Sequence, residues 1–280
     1  MTRAVVHPWA PRGCCTPACV HGAAERVSPA VVAARLALVL LLIPVLPLLA
    51  VPLPGRVHLQ RGCCRLVLRC FGVRVTTTGG PVRNLPGMLV VSAHTSWLDV
   101  FVVGAVSPGT FVARADLIGW PGVGALARLL RIIPIDRHSL RGLPAVVEAV
   151  TARLRQGRVV VAFPEGTTWC GRTHGRYYPA MFQAAVDASR PVQPLRLSYH
   201  HPDGSRSTLP AFVGDDTLVA SMRRLITARR TLARVHVASL QLPGFDRREL
   251  AARCQALVSC RVGCRAQPSR QACSVCGMHG

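Results

Sequence analysis

The sequence predicts an α/β fold, a mixed β-sheet flanked by helices, preceded by an N-terminal membrane-associated helical segment. Three observations carry this expectation. From Gly79 onward, short apolar runs alternate with helical patterns, as they do when strands and helices take turns along a chain. Leu36 to Pro54 is a 19-residue stretch without a single charge. Half of the 280 residues are apolar, enough to bury a sizeable core.

Taken in order, residues 1–28 hold Pro8, Pro11 and Pro17, show no sustained period, and read as a flexible leader. Residues 29–74 form the membrane segment. The uncharged stretch is just long enough to cross a hydrocarbon core as a helix, but Pro44, Pro47, Pro52 and Pro54 would kink or break it, so an inserted or re-entrant segment fits better than a straight span. A cleaved signal peptide fits poorly, because some 35 residues precede the apolar run and no clear small-x-small cleavage site follows it. Next, Arg56, Arg61, Arg65 and Arg69 interleave with Leu59, Leu66, Val67, Leu68 and Phe71. That pattern suits a basic amphipathic helix in the headgroup layer, and equally a core-facing helix with a solvated basic side.

Residues 75–245 are read as the main domain. Its strands are expected at Met88 to Ala93, Thr110 to Ala113, Arg131 to Ile135, Val159 to Phe163, Val192 to Ser198 and Ala233 to Ser239; helices are expected near 96–106, 141–156 and 215–230. Residues 246–280 are read as a C-terminal helix, near 246–258, and a tail rich in Cys and Arg. Of the twelve cysteines only Cys273-x2-Cys276 is read as having metal-ligand spacing; Cys260, Cys264 and His279 could complete a site, but no second such pair accompanies it, so the tail is read as inert, and neither metal nor cofactor is expected.

Charge narrows the partners. All 34 basic residues are Arg, against 12 acids, giving a net charge of +22 that attracts polyanions of any kind. Aromatics make up only 5% and no nucleic-acid-reading motif occurs, so the partner expected is an anionic lipid surface and not nucleic acid.

The chemistry sits in two short blocks. In Ser92-Ala93-His94-Thr95-Ser96-Trp97-Leu98-Asp99, a His follows an apolar strand and an Asp stands five residues on. On one regular helix the two side chains would lie about 140° apart, so they meet only if His94 precedes the helix. Ser96-x-x-Asp99 has the form of a capping box that would place the boundary there. A carboxylate on one imidazole nitrogen fixes the tautomer and leaves the other nitrogen to take a proton from a hydroxyl. The second block, Phe163-Pro164-Glu165-Gly166-Thr167, puts an acid and a glycine at a strand end, in a sharp turn that a ligand can approach closely.

With these blocks in view, the chain resembles the glycerolipid acyltransferases typified by 1-acylglycerol-3-phosphate acyltransferase, over roughly residues 75–245. In that family's order, His94 to Asp99 resembles the first block, Ile132-Ile133-Pro134-Ile135-Asp136-Arg137 the second, Phe163 to Thr167 the third, and Pro191-Val192-Gln193-Pro194-Leu195 the proline-bounded fourth. Phe111-Val112-Ala113-Arg114, with Leu117 and Gly124, resembles a segment where the family commonly has Lys in place of Arg114. The resemblance implies an O-acyltransferase of phospholipid biosynthesis that moves a fatty acyl group from acyl-CoA or acyl carrier protein to a lysophospholipid hydroxyl. The expected acceptor is 1-acylglycerol-3-phosphate, giving phosphatidate, with a lyso-aminolipid or a silent lipid-binding relative as the alternatives. It implies His94 as the general base and Asp99 as its partner. Arg114, Arg137, Glu165, Gly166, Thr167 and Arg172 are the implied substrate-binding residues, on a membrane with the catalytic domain at the cytoplasmic face. The chain departs from the pattern after the third block, where Thr168 stands in place of the family's usual Arg and the next cation is Arg172.

Overall fold

The computed structural model describes residues 11–21, 25–44, 55–83, 85–119, 123–136 and 139–259. Seven strands form one mixed sheet: β1 (Val73–Gly79), β2 (Leu89–Ser92), β3 (Thr110–Arg114), β4 (Ile133–Ile135), β5 (Val160–Ala162), β6 (Val192–His200) and β7 (Thr231–Val237). Their spatial order is β1-β7-β6-β2-β5-β3-β4. Neighbouring strands from β6 to β4 run parallel; β7 pairs antiparallel with β6 and parallel with β1.

Central strands buried on both faces read as continuous apolar runs, and β2 and β5 do so. Alternate residues divide between two cores: Met88 and Val90 join Leu98, Val102, Phe111 and Leu195 on one face. On the other, Leu89 and Val91 join Val150, Leu154, Phe182 and Leu250. The first face is covered by α2 (Arg56–Cys70), α3 (Asp99–Val106) and α7 (Leu218–Thr227); the second by α5 (Leu143–Arg155), α6 (Ala180–Asp187) and α8 (Arg247–Ser259). Further helices are α1 (Pro29–Leu42), which packs on α2 and α7, and α4 (Val123–Leu129). The mixed α/β sheet flanked by helices is thus the observed architecture, and β1, α4 and α6 add to the expected elements.

The N-terminal region resolves one of the open readings. Leu68 and Cys63 of α2 are buried, Arg61 donates to the Val106 carbonyl (3.2 Å) and Gln60 to the Gly109 carbonyl (3.4 Å), so this helix is docked on the protein core. At 14 residues, α1 is about 21 Å long, short of the ~30 Å hydrocarbon core. Among the described residues no helix is long and apolar enough to cross a membrane. The rest of the uncharged stretch, 45–54, lies outside the described residues, as do Cys273, Cys276 and the remainder of the tail.

Within the segment read as a leader, residues 11–21 run along the loop that follows β5 and the segment that follows β6. Cys15 and Cys19 are buried there, and the His21 backbone N–H donates to Thr208 Oγ1 (2.8 Å).

Candidate active site

Strands β2 and β5 are neighbours and parallel, so the loops after them leave the same edge of the sheet, the edge where open α/β sheets bind ligands. The first loop carries His94, the second Phe163 to Thr168. The Trp169 N–H donates to the His94 carbonyl (2.8 Å), joining the two, and the Phe212 N–H, from the segment after β6, donates to the Thr95 carbonyl (2.9 Å).

His94 does precede the helix. Its Nδ1 lies 2.9 Å from Asp99 Oδ2, leaving Nε2 unoccupied by that contact. The expected helix start at 96 moves to Asp99: a single turn, closed by the Asp99 N–H on the Ser96 carbonyl (3.0 Å), leads into the helix, and the carboxylate folds back over it. Asp99 Oδ2 accepts from the backbone N–H of Thr95 (2.6 Å) and of Ser96 (2.9 Å), the carboxylate half of a capping box. The hydroxyl half is displaced, since Ser96 Oγ accepts from Leu98 N (3.2 Å). The other carboxylate oxygen, Oδ1, accepts from Tyr199 Oη (2.6 Å). Asp99 is fully buried, and burial together with the neighbouring Asp99 charge holds the Tyr199 phenol protonated, far above its ordinary pKa. The imidazole is fixed from the other side by stacking on Phe163, with ring centroids 4.2 Å apart.

Glu165 does not reach solvent or the ligand space. It is buried at 2% exposure, with Oε2 accepting from the His94 backbone N–H (2.8 Å) and Oε1 from the Gly175 N–H (3.0 Å). The acid thus holds the backbone that carries the base. Burial pushes its pKa up to about 8; the two N–H donors oppose this and the charge of Asp99 adds to it. Gly166 adopts φ +68°, which favours glycine, and a Cβ there would come within 2.6 Å of Pro11 Cγ.

In front of these loops opens a cavity of about 1810 Å³, lined near the base by His94, Trp97, Phe101, Phe111 and Phe163. A mainly apolar site larger than the usual ~300–1,000 Å³ of small-molecule pockets suits a long hydrocarbon chain. Gly166, Thr167 and Arg114 also line it. Arg114 is held by Asp116 through two hydrogen bonds, Nε to Oδ1 (2.9 Å) and Nη2 to Oδ2 (2.6 Å). Thr168 lines the cavity too, but its hydroxyl donates to the Phe212 carbonyl (2.5 Å). Arg172 is exposed and not among the lining residues, and Arg137 lies outside the described residues.

Sequence reasoning missed Tyr199, 100 residues from its partner Asp99, and Arg12, Arg158 and Arg247 at the cavity wall. A phenol in an apolar strand and arginines in an all-Arg chain carry no signal of their own. Cys170 is fully buried and absent from the cavity lining, although its hydrogen bond with the Cys15 thiol pulls its pKa down.

The Acyltransferase family profile matches residues 74–198. A lyso-ornithine lipid O-acyltransferase of Pseudomonas aeruginosa is 34% identical over 203 residues, 71% of this chain and 76% of that protein. A 1-acyl-sn-glycerol-3-phosphate acyltransferase of Neisseria meningitidis is 32% identical over 158 residues, 56% of this chain and 62% of that protein. Among solved structures, the 1-acyl-sn-glycerophosphate acyltransferase PlsC of Thermotoga maritima aligns with a TM-score of 0.56 at 17% identity, covering 82% of this chain and 92% of that one, a likeness of fold.

Proposed function

Because the chain belongs to the Acyltransferase family, we propose that it is an O-acyltransferase that moves a fatty acyl group from a thioester donor to the hydroxyl of a lysolipid, with His94 as the base. The observation that carries this reading is the His94–Asp99 pair at the head of a large apolar cavity. Nδ1 is turned to the carboxylate, so Nε2 is the nitrogen that takes the acceptor's proton as its oxygen attacks the thioester carbonyl. The carbon–sulfur bond breaks, and the proton passes to the departing thiolate. Asp99 orients the ring and stabilises the imidazolium. Glu165 acts one step back, through the His94 N–H, as a positioning residue.

The donor is acyl-CoA or acyl carrier protein, which places the catalytic domain at the cytoplasmic face of a membrane. The first-choice acceptor is 1-acylglycerol-3-phosphate, giving phosphatidate; Arg12, Arg114 and Arg158 supply positive charge at the cavity wall. A lyso-aminolipid is the second reading, and two observations favour it. Thr168 offers no cation and spends its hydroxyl on Phe212, and Asp116 occupies the guanidinium of Arg114.

The test is an assay of purified protein with a labelled acyl thioester and a panel of phosphate-headed, zwitterionic and amino-acyl lysolipids. His94→Ala is expected to lower transfer by ~10²–10⁴-fold at unchanged thermal stability. Near-normal turnover of that variant sinks the mechanism, and free fatty acid as the main product replaces the transferase with a hydrolase. Arg114→Ala is expected to weaken a phosphate-headed acceptor by about tenfold, the loss of one charge-assisted hydrogen bond, and to leave an amino-acyl one unchanged.

A further inference from the structure

Three thiols from distant parts of the chain meet beside the active-site loops. Cys15 stands two residues before the short turn Pro17–Cys19, Cys19 closes it, Cys170 lies just past the third block, and all three are buried. Their Sγ atoms lie within 4.8 Å of one another. Apolar packing explains only part of this: the cluster that encloses them holds Ala211 and Val213, with Val20 and Trp169 at its margin.

We propose that Cys15, Cys19 and Cys170 form a binding site for a soft, thiophilic metal ion, zinc foremost, that pins the N-terminal segment to the catalytic loop. Sulfur donors select such ions over hard oxygen-seeking ones. Around zinc at Zn–S distances of about 2.3 Å, the sulfurs of a tetrahedron stand about 3.8 Å apart, so the site closes by about an ångström or less per pair. The spacing Cys15-x3-Cys19 falls within the range of zinc ligand pairs, and the fold brings the third donor, Cys170, from 151 residues on. Polar groups already surround the sulfurs: the Cys170 N–H donates to Cys15 Sγ (3.4 Å), and the Thr173 hydroxyl, with one proton to give to either, lies 3.5 Å from Cys15 Sγ and 3.6 Å from Cys170 Sγ. Donors of this kind orient and tune thiolate ligands. Each thiol gives up its proton on binding, and a water or another donor takes the fourth corner.

The consequence for the site follows from what the pinned segment touches. Pro11 packs against the glycine of the third block, Gly13 stands beside the Thr168 carbonyl, and Arg12 and Cys15 line the cavity. A metal at the three sulfurs would fix this wall of the acceptor mouth, a structural role and not a step in acyl transfer.

The experiment is elemental analysis of the purified full chain, followed by cobalt substitution of chelator-stripped protein. About one zinc ion per chain is expected to survive gel filtration, and cobalt is expected to give a thiolate-to-metal charge-transfer band. Cys15→Ser, Cys19→Ser and Cys170→Ser are each expected to lower retained metal by about tenfold or more, while the double variant Cys273→Ser/Cys276→Ser keeps it. Should the single variants not fold, alkylation of the wild type decides: Cys15, Cys19 and Cys170 are expected to react only after chelation. The proposal is overturned if the wild type holds no metal and gives no cobalt band, if the tail variant alone loses the metal, or if peptide mapping finds Cys15 and Cys170 joined as a disulfide. None of these readouts depends on acyl transfer.

Discussion

Every group that reaches Asp99 is a donor: the backbone N–H of Thr95 and Ser96, the phenol of Tyr199, and His94 Nδ1. A carboxylate can accept from all four, whereas an amide has one acceptor oxygen and brings its own N–H groups toward donors. Asp99→Asn is therefore expected to lower kcat by ~10²–10⁴-fold, approaching the loss of the base itself. Steady-state kinetics at saturating acceptor check this, and a kcat within about threefold of wild type would show that the pair is not needed. Tyr199→Phe removes one donor and buries the orphaned Oδ1, costing about 1–3 kcal/mol in a denaturant titration with a smaller effect on KM than on kcat. Glu165 supplies a pH signature. Its folded pKa of about 8 lies above the ordinary 4.5, so the folded state binds the extra proton between those values. Its contribution to stability is present below about pH 4.5 and is lost as pH rises through about 8. Glu165→Gln should flatten that slope; thermal melts from pH 5 to 8 that keep the wild-type slope in the variant would assign it to another group.

At the scale of elements, what was legible is what local periodicity encodes. The runs Leu89–Val91 and Val160–Ala162 are apolar throughout because helices cover both faces, and the third block follows β5 directly. The pairing of His94 with Asp99 was legible because only five residues separate the loop His from the first residue of α3. Other features depended on distant partners. Strand β1, Val73–Gly79, is rich in Thr and mostly exposed, so it shows no apolar run, and its pairing with β7 decides its state. The turn ahead of α3 follows from carboxylate bonds that spacing alone does not reveal. Arg35 is a further case, hidden in an otherwise apolar helix. Its Nη1 donates to the carbonyls of Ile226 and Ala228 (2.6 Å each) and Nη2 to that of Arg229 (3.0 Å), so α1 is fastened to the end of α7 by one guanidinium. Gly72, at φ +68°, admits it: a Cβ there would stand 2.6 Å from Nη2. Arg35→Ala is expected to lower the unfolding free energy by about 2–3 kcal/mol, with Lys a poor substitute because it lacks the planar fork. An unchanged urea midpoint would show that α1 docks by its apolar contacts alone.

At the scale of the whole molecule, the distribution of apolar surface is uneven. Most large apolar side chains are buried in the two cores around the sheet, yet Val31, Leu36, Leu40, Leu41 and Ile43 on and just after α1 are exposed, as are Val57 and Leu59 on the adjoining α2. Arg65 and Arg69 of α2 are exposed as well, which puts cations beside this apolar surface. An apolar patch with a basic border is what an interfacial helix presents to the headgroup layer, and each Leu transferred from water contributes about 1.5–3 kcal/mol. Ionic attraction from a chain of net charge +22 would act alongside, but salt screens it within about 10 Å at 0.1 M. The two contributions therefore separate by ionic strength. Wild-type protein is expected to stay on anionic vesicles at 1 M salt, while Leu40→Asp/Leu41→Asp binds at low salt and is released at high salt. The same double variant should keep its turnover on an acceptor dispersed in detergent, since neither residue lines the cavity. Wild-type release by salt alone would leave charge as the sole anchor, and the apolar face of α1 would then need another occupant.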